Sequence, residues 1–147
     1  MADFSGEYTH SIDSKGRLNV PAKYRKALPP HARDTLVVTL WFEGCLAVYS
    51  LDDWERLKND LRHLPVTDKA ARRYIRTIIS QAAESKIDKQ GRIMVPKRLL
   101  EKANIKNRVT IVGALNKFEL WNPERFKEYM KDTEAVLEEA AEQLNFY

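Results

Sequence analysis

The chain has 147 residues, of which 44% are hydrophobic and 31% are charged, and its formal net charge is +4. This length allows one ordinary domain or two small domains around a shared core, and no apolar run approaches the roughly 20 residues that a membrane span needs. The single cysteine, Cys45, excludes an internal disulfide framework, and its apolar flanks favour a buried strand residue over a reactive thiol. Because the N-terminus lacks a basic region and an apolar core, we expect no signal peptide. The lone cysteine fits a reducing cytoplasm, and the short apolar runs predict no membrane partner.

The first motif, residues 12–21, reads I-D-S-K-G-R-L-N-V-P and predicts a strand, a tight turn, a second strand and the start of a helix. Asp13 can hydrogen-bond the backbone ahead of it and Gly16 tolerates a positive φ, which suits a type I turn closed by a glycine bulge. Because side chains alternate along a strand, Leu18 should enter the core, whereas Arg17 should face water or a partner.

The segment after this motif predicts two helices with two buried strands between them. A short helix should cover residues 22–28, and the apolar runs 35–42 and 46–49 have the composition of buried strands. Ser50 can cap the next helix, which Pro65 ends.

A longer amphipathic helix is predicted between the two halves of the chain. Thr67 can cap it, and it should run over residues 68–83 with an apolar stripe toward the core. The opposite face is basic, and its members are Lys69, Arg72, Arg73 and Arg76. Such a face is either a contact surface or a solvated face, and the sequence leaves both interpretations open.

The second motif, residues 87–96, reads I-D-K-Q-G-R-I-M-V-P and repeats the first at an offset of 75 residues. Asp88, Gly91 and Arg92 take the places of the first turn aspartate, glycine and arginine. A short helix over residues 97–103 should follow, as in the first half.

Two strands and a closing helix complete the second half. The apolar runs 109–112 and 118–121 predict the strands, and Asn122 can start the helix. A continuing apolar stripe predicts one longer helix that frays into the tail. From Asp132 onward the tail has five acids and no lysine or arginine, so acidic charge is segregated from the motifs.

Positive charge concentrates on the two motifs. Between residues 13 and 26 five bases accompany one acid, and between residues 86 and 102 six bases accompany two. Matched clusters of this kind are expected for a surface that binds a phosphate backbone. Solvated faces without a partner would explain one such cluster better than two.

The chain resembles the MraZ family through both I-D-x-x-G-R-x-x-V-P motifs and through the G-E-Y, A-R-R and E-L-W segments at residues 6–8, 71–73 and 119–121. The resemblance implies an α+β fold of two tandem SpoVT/AbrB-like swapped-hairpin repeats, which form a pseudo-symmetric β-barrel with flanking helices. The expected domain limits are residues 1–65 for the first repeat with its closing helix, 66–84 for the inter-repeat helix, 85–131 for the second repeat and 132–147 for the acidic helical tail.

The same resemblance implies a function. Members of the family are transcriptional regulators that assemble into ring-shaped homo-oligomers and bind repeated promoter elements in double-stranded DNA near cell-division and cell-wall genes. The resemblance places Arg17 and Arg92 at the DNA surface, with Lys15 beside the first arginine, and it implies a nucleoid-associated location.

The residue types fit that role. A planar guanidinium can donate two parallel hydrogen bonds to guanine, so we expect the two arginines to read bases. The residues expected to hold phosphates are Lys15, Lys23, Arg25, Lys97 and Arg98. The residues expected to build the turns are Asp13, Gly16, Asp88 and Gly91. Since Gln90 and Met94 replace Lys15 and Asn19 in the second motif, Arg17 should contribute more to binding than Arg92.

No catalytic or metal site is expected. The histidines His10, His31 and His63 lie apart without metal-ligand spacing, and the sequence contains neither a G-x-x-x-x-G-K-[ST] loop nor a G-x-S-x-G elbow. We therefore expect no enzyme activity, no cofactor and no small-molecule substrate. Two alternatives stay open: an oligomeric scaffold or protein-binding module, and an RNA-binding translational regulator.

Overall fold

The structure, a computed structural model, describes residues 2–30 and 34–146. In this part of the chain the strands are β1 (Glu7–Ser11), β2 (Arg17–Asn19), β3 (Thr35–Leu40), β4 (Leu46–Ser50), β5 (Ala83–Lys86), β6 (Arg92–Met94), β7 (Arg108–Gly113) and β8 (Lys117–Trp121). The helices are α1 (Ala22–Lys26), α2 (Leu51–Arg62), α3 (Lys69–Gln81), α4 (Lys97–Lys102), α5 (Pro123–Tyr129) and α6 (Thr133–Gln143). Each half therefore has the order β-β-α-β-β-α, and one further helix follows each half.

The described strands form a six-stranded sheet and a two-stranded ribbon, both antiparallel. The sheet order is β1-β7-β8-β4-β3-β5, and the ribbon pairs β2 with β6. The halves exchange strands, because β1 of the first half pairs with β7 and β5 of the second half pairs with β3. The order reads the same when the halves are interchanged, so a pseudo-two-fold axis passes between β4 and β8 and between β2 and β6. The α+β fold with swapped, tandem repeats is confirmed.

The ribbon closes one face of the sheet over the main core. Leu18 of β2 and Ile93 of β6 are fully buried and belong to the same apolar cluster as Val48 of β4 and Phe118 of β8. β1 and β5 are the two edges of the sheet, and within residues 2–30 and 34–146 no ladder joins them. The predicted barrel is therefore open between β1 and β5. At each of these edges a motif turn leads the chain into a ribbon strand, from β1 into β2 and from β5 into β6.

Helices α2, α3 and α5 cover the other face of the sheet. Tyr49 of β4 packs with Trp54 of α2 and Ile78 of α3, and Phe126 of α5 packs against Cys45. Burial raises the pKa of the Cys45 thiol, which confirms the interpretation of a buried cysteine. Because successive side chains of β3 and β4 alternate between the two clusters, the ribbon and the α2–α3 pair lie on opposite faces of the sheet.

Capping side chains start α2, α3 and α5, though not always those that the sequence predicted. Ser50 accepts a hydrogen bond from the backbone N–H of Asp53 as predicted. The cap of α3 is Asp68, whose carboxylate accepts from the Ala71 N–H at 3.1 Å, so the prediction of Thr67 was wrong. A carboxylate is favoured there because it also interacts with the positive end of the helix dipole. The helix ends at Gln81, two residues early, because the next residue is already extended and leads into β5.

The C-terminal region contains two helices where the sequence predicted one. Asn122 caps α5 and accepts a hydrogen bond from the Arg125 N–H at 3.0 Å, as predicted. The chain then breaks at Asp132, which adopts a left-handed conformation with φ of 57°. Aspartate tolerates this conformation better than most residues, and α6 starts directly after it. The short helices α1 and α4 end at Lys26 and Lys102, slightly before the predicted limits.

Candidate nucleic-acid interface

The first motif turn is built around the carboxylate of Asp13. Its Oδ1 accepts hydrogen bonds from the backbone N–H groups of Lys15 and Arg17, both at 2.9 Å. The Gly16 N–H donates to the Asp13 carbonyl at 3.0 Å, and Gly16 has a φ of 81°, which favours glycine. The predicted tight turn with a glycine in the left-handed region is confirmed.

The same carboxylate orients the motif arginine. Arg17 donates from Nε to Asp13 Oδ2 at 2.7 Å, and the pair remains partly accessible to solvent. Within the described residues, this guanidinium donates hydrogen bonds from Nε alone. The outer end of the guanidinium, with Nη1 and Nη2, therefore remains available for another acceptor.

The second motif repeats this geometry atom for atom. Asp88 Oδ1 accepts from the N–H groups of Gln90 and Arg92 at 2.8 and 3.0 Å, and Oδ2 accepts from Arg92 Nε at 2.9 Å. Gly91 has a φ of 79° and donates to the Asp88 carbonyl at 2.9 Å. Two turns separated by 75 residues thus hold two arginines in matched poses.

Hydrogen bonding keeps both aspartates charged. The pKa of Asp13 is lowered from its usual value of 3.8, first by the backbone N–H of Arg17 and then by the Arg17 side chain. The pKa of Asp88 is lowered in the same way, with the backbone N–H of Arg92 as the largest cause. Each arginine therefore faces an ionised carboxylate at neutral pH, which fixes its direction.

The two arginines stand on the same outward face of the β2-β6 ribbon. The register sets Arg17 opposite Met94 and Asn19 opposite Arg92, while Leu18 and its partner point into the core. The arginine-bearing ribbon is therefore built from one strand of each half, whereas the predicted strand, tight turn and second strand of each motif would have formed a hairpin within that motif. The expected companions are also exchanged, because Asn19 faces the second arginine and Met94 faces the first. Asn19 and Met94 therefore give no reason to rank Arg17 above Arg92, whereas Lys15 and Gln90 lie in the turns of Arg17 and Arg92 as expected, and the ranking stays a prediction.

A basic groove of about 830 Å3 runs beside the ribbon. Its charged lining residues are Lys15, Arg17, Lys86, Arg92 and Lys97, together with the acids Glu84 and Asp88. A second, smaller groove of about 280 Å3 shares Lys15 and Lys97 and adds Lys106. Both motif arginines and two of the predicted lysines thus border one continuous surface.

The remaining predicted cations are tethered by protein contacts. Lys23 donates to Ser5 Oγ at 3.0 Å, and Arg98 donates from Nη1 to Gln81 Oε1 at 2.9 Å. Arg25 donates from Nε to the Val20 carbonyl at 3.1 Å. The predicted DNA-binding residues therefore fall into two groups. One group borders the ribbon and its grooves, and the other consists of helix residues that already make hydrogen bonds within the protein.

Arg25 has a position that the sequence did not indicate. Its guanidinium lies so close to Gly91 that a Cβ at this glycine would approach it to 2.7 Å. Leu100 takes the corresponding place in the other half, next to Gly16. Each motif turn therefore rests on the helix of the opposite half, and Arg25 supports the turn that holds Arg92.

The residues that the sequence pointed to do not include two lysines of the grooves and one asparagine of the ribbon. Lys86 and Lys106 lie outside the motifs, and only the general excess of bases around the second motif pointed to the first of them. Asn19 was recognised as a motif position, but its place beside Arg92 depends on strand pairing. A single sequence gives no signal for that pairing.

Two further features bear on the class of site. Within residues 2–30 and 34–146, no three histidine, cysteine, aspartate or glutamate side chains lie close enough to hold a metal ion, and His31 lies outside these ranges. None of the helices described is both long and apolar enough to cross a membrane.

Comparison with known proteins identifies two tandem matches. Residues 4–77 and 78–145 each match the family model described as "MraZ protein, putative antitoxin-like". A relative from Caldanaerobacter subterraneus subsp. tengcongensis, named transcriptional regulator MraZ, is 42% identical over 140 residues, which cover 95% of each chain. Relatives of the same name from Limosilactobacillus reuteri and Ligilactobacillus salivarius are also 42% identical, over 95% and 96% of this chain and 96% of their own lengths. The chain therefore belongs to the MraZ family.

Proposed function

We propose that this protein is a transcriptional regulator that binds double-stranded DNA and reads its sequence through the β2-β6 ribbon. One observation carries the proposal: Arg17 and Arg92, from opposite halves, stand on one outward face, and each is oriented by a charged aspartate. The names of the curated relatives, transcriptional regulator MraZ, support the same conclusion.

The ribbon suits the major groove of DNA. A two-stranded ribbon is narrow enough to enter a groove about 12 Å wide, and arginine can donate two parallel hydrogen bonds to guanine O6 and N7. In both motifs the aspartate accepts a hydrogen bond from the arginine Nε. A guanine would therefore be bound by the outer end of the guanidinium, through Nη1 and Nη2. The paired aspartates therefore act as positioning residues for base readout.

The lysines around the ribbon would hold the phosphate backbone. Lys15, Lys86 and Lys97 border the groove beside the arginines, where a strand of DNA would run if the ribbon entered the major groove. Such contacts fix register and orientation without reading sequence. We also keep three tethered cations as proposed phosphate contacts: Lys23, Arg25 and Arg98. Each would bind a phosphate in addition to, or in place of, its present hydrogen bond within the protein.

The finer biological role follows the family. We propose that copies assemble into a ring-shaped homo-oligomer, bind repeated promoter elements near cell-division and cell-wall genes, and associate with the nucleoid in the cytoplasm. The proposed organisation keeps residues 1–65 and 85–131 as the two repeats, 66–84 as the inter-repeat helix and 132–147 as the acidic tail. No catalytic role is part of this proposal.

Arginine replacement tests the assignment. Arg17→Ala, Arg92→Ala and the double variant would be titrated by fluorescence anisotropy against a duplex from the region upstream of this gene and against a scrambled duplex. A lost bidentate base contact costs about 1–3 kcal/mol per site, so each single variant should lose affinity for the upstream duplex far more than for the scrambled one. Arg73→Ala is the matched control, since it removes one cation from α3 on the opposite face of the sheet.

The outcomes separate the possible functions. Equal losses on both duplexes would reassign the arginines to phosphate contacts. Unchanged affinity of the double variant would overturn the DNA proposal and favour a protein-binding scaffold. Preference for RNA of the same sequence would favour a translational regulator.

A further inference from the structure

The C-terminal helix α6 is largely uncovered in a single copy of the chain, with only Ala140 and Ala141 partly buried. None of its residues is buried, and Val136, Leu137 and the C-cap residue Leu144 are 57%, 64% and 67% exposed. An isolated helix of about eleven residues is only marginally stable in water, because the first turn is costly to form. A helix of this length with exposed leucines is expected to be stable only against a surface that covers them.

Helix α6 is amphipathic, with one apolar face and one acidic face. At about 100° per residue, Val136, Leu137 and Leu144 project on one side of the helix, and the acids project on the remaining sides. These acids are Glu134, Glu138, Glu139 and Glu142. No lysine or arginine follows Asp132, so nothing in α6 neutralises them.

A complementary groove lies between α2 and α3. It has a volume of about 400 Å3, and its apolar residues are Leu61, Leu64, Val66, Ile75 and Ile79. Val66 and Ile79 are 75% and 39% exposed, so the groove is open to solvent in the single copy. It is large enough to receive two or three aliphatic side chains.

The rim of this groove is basic. Lys58, which also pairs with Glu55 at 2.7 Å, and Arg62 line it from α2. Arg72 reaches its edge from α3 through a hydrogen bond from Nη1 to the Val66 carbonyl at 3.0 Å, and Arg76 lies one turn further along the same helix. Part of the basic face of α3, which the sequence left open between contact surface and solvated face, therefore borders an apolar groove through Arg72 and Arg76. The groove also lies on the face of the sheet opposite to the ribbon, away from the proposed DNA surface.

We propose that α6 of one copy docks into the α2–α3 groove of a second copy. The apolar side of α6 would fill the groove, and its glutamates would face the basic rim. Within one copy α6 remains exposed and the groove remains open, so the two surfaces do not meet in the same chain. The inference rests on the self-assembly within the proposed function and names the contact that produces it.

The contact is heterologous, because the helix and the groove are different surfaces. Every copy then offers one helix and one groove, and repetition of such a contact closes into a ring when the rotation between copies allows it. The acidic helix is also withdrawn from the DNA-facing ribbon, which leaves the basic grooves beside the ribbon uncovered.

Paired variants test this contact in the full chain. The helix variant carries Leu137→Glu and Leu144→Glu, and the groove variant carries Val66→Glu and Ile79→Glu. Ala135→Glu, on the opposite side of α6, and Thr77→Glu, elsewhere on α3, add the same charge and serve as controls. By analytical ultracentrifugation, each variant should have a self-association constant weakened at least about tenfold, whereas both controls should match the original chain.

Mixing the two variants gives the decisive result. The helix variant has an intact groove and the groove variant has an intact helix, so an equimolar mixture should form one-to-one dimers that neither variant forms alone. Failure of the mixture to form dimers, or an unchanged mass for either variant, would overturn the docking proposal. Circular dichroism of each variant at low concentration checks that the sheet core is retained.

The same variants separate this proposal from DNA binding. If docking is correct, both should bind a duplex with one promoter element as the original chain does, since their substitutions lie outside the ribbon and its grooves. If both keep the original mass while Arg17→Ala loses DNA affinity, the docking proposal fails and the DNA proposal stands. If Arg72→Ala with Arg76→Ala weakens DNA binding without changing the mass, the α3 face binds phosphates and docking is overturned.

Discussion

Asp13 and Asp88 do two things in their turns that no neutral side chain of the same size would do equally well. One carboxylate oxygen accepts two backbone N–H groups and closes the turn, and the other holds the arginine Nε. An asparagine could accept fewer of these hydrogen bonds and would not attract the guanidinium. Turn-building and arginine orientation are therefore one function of the same group.

The first prediction concerns titration of Asp13. By carboxyl NMR, its pKa should lie below 3.8, because the charged form accepts three hydrogen bonds. In Arg17→Ala the pKa should rise only part of the way back, since the backbone N–H of residue 17, the largest cause of the shift, is still present. A complete return to 3.8 would show that the side chain, not the turn, dominates.

The direction of this shift also sets a pH dependence. Because the folded-state pKa is lowered, the contribution of the two aspartates to stability is fully present above pH 3.8. It is lost as the pH falls through the lowered pKa. Thermal melting of Asp13→Asn with Asp88→Asn should lack this acid-dependent component, and the original chain should show it.

For single residues, the sequence predicted correctly whether a side chain faces the core or the solvent, but it did not predict which distant residue the side chain contacts. Alternation along a strand correctly sent Leu18 inward and Arg17 outward. It did not predict that Arg25 supports Gly91, because that contact joins residues 66 positions apart in opposite halves. Local patterns carry information about faces, and long-range contacts depend on the swapped topology.

The ribbon is the element in which this limit matters most. Each motif contains a three-residue strand with a clear inward and outward side, which the sequence predicts. The partner of such a strand could have been the strand across its own turn. In the structure the strand before each turn pairs elsewhere, β1 with β7 and β5 with β3. The strands after the turns, β2 and β6, therefore pair with each other.

The second prediction compares the two turn glycines. Both have positive φ, so alanine at either position should cost about 1–2 kcal/mol of stability from backbone strain. At Gly16 a Cβ would also meet the Val95 carbonyl oxygen at 2.5 Å, whereas at Gly91 it would meet the flexible end of Arg25. Gly16→Ala should therefore destabilise the protein by about 1–3 kcal/mol more than Gly91→Ala.

Denaturant unfolding at one fixed protein concentration would measure this difference, because association affects apparent stability. Gly91→Ala combined with Arg25→Ala is the control, since removal of the guanidinium relieves the contact at that turn. Equal destabilisation by the two glycine variants would contradict the close approach of Gly16 to the opposite half.

The break between α5 and α6 shows why periodicity can hide an end. Phe126 and Leu137 are eleven residues apart, which is close to three full turns, so the apolar stripe stays in phase across the break. The break is short, from Met130 to Asp132, and contains neither glycine nor proline, so only Asp132, a residue type that favours caps and turns, could have indicated it. The sequence therefore predicted the helical content of the tail without its division.

The whole molecule derives its functional geometry from the pseudo-two-fold axis. The family resemblance predicted two repeats that share a fold, and the repeat alone suggested that both motifs lie at equivalent places. The axis passes between β2 and β6, so the equivalent places become neighbours on one ribbon. The two motifs thus form one surface together, and neither half would form this surface alone.

Charge is distributed over the molecule in a way that predicts the salt dependence of DNA binding. The cations of the ribbon and its grooves lie on one face, and the acids of the tail lie on α6. An oligomer that neutralises roughly 6–10 phosphates should lose about 10³–10⁵ in affinity between about 50 and 200 mM salt. Each lysine that contacts a phosphate in every bound copy contributes about 0.9 to the slope of log affinity against log salt.

The last prediction assigns that slope to particular residues. Lys15→Ala and Lys97→Ala, which remove cations shared by both grooves, should each reduce the slope by about 0.9 per contacted phosphate and weaken binding to promoter and scrambled duplexes alike. Arg17→Ala should chiefly reduce the difference between the two duplexes. Arg73→Ala, on the opposite face, should leave the slope unchanged. A slope that is insensitive to both lysines would remove them from the phosphate contacts, and a flat slope for the original chain would favour a protein partner over DNA.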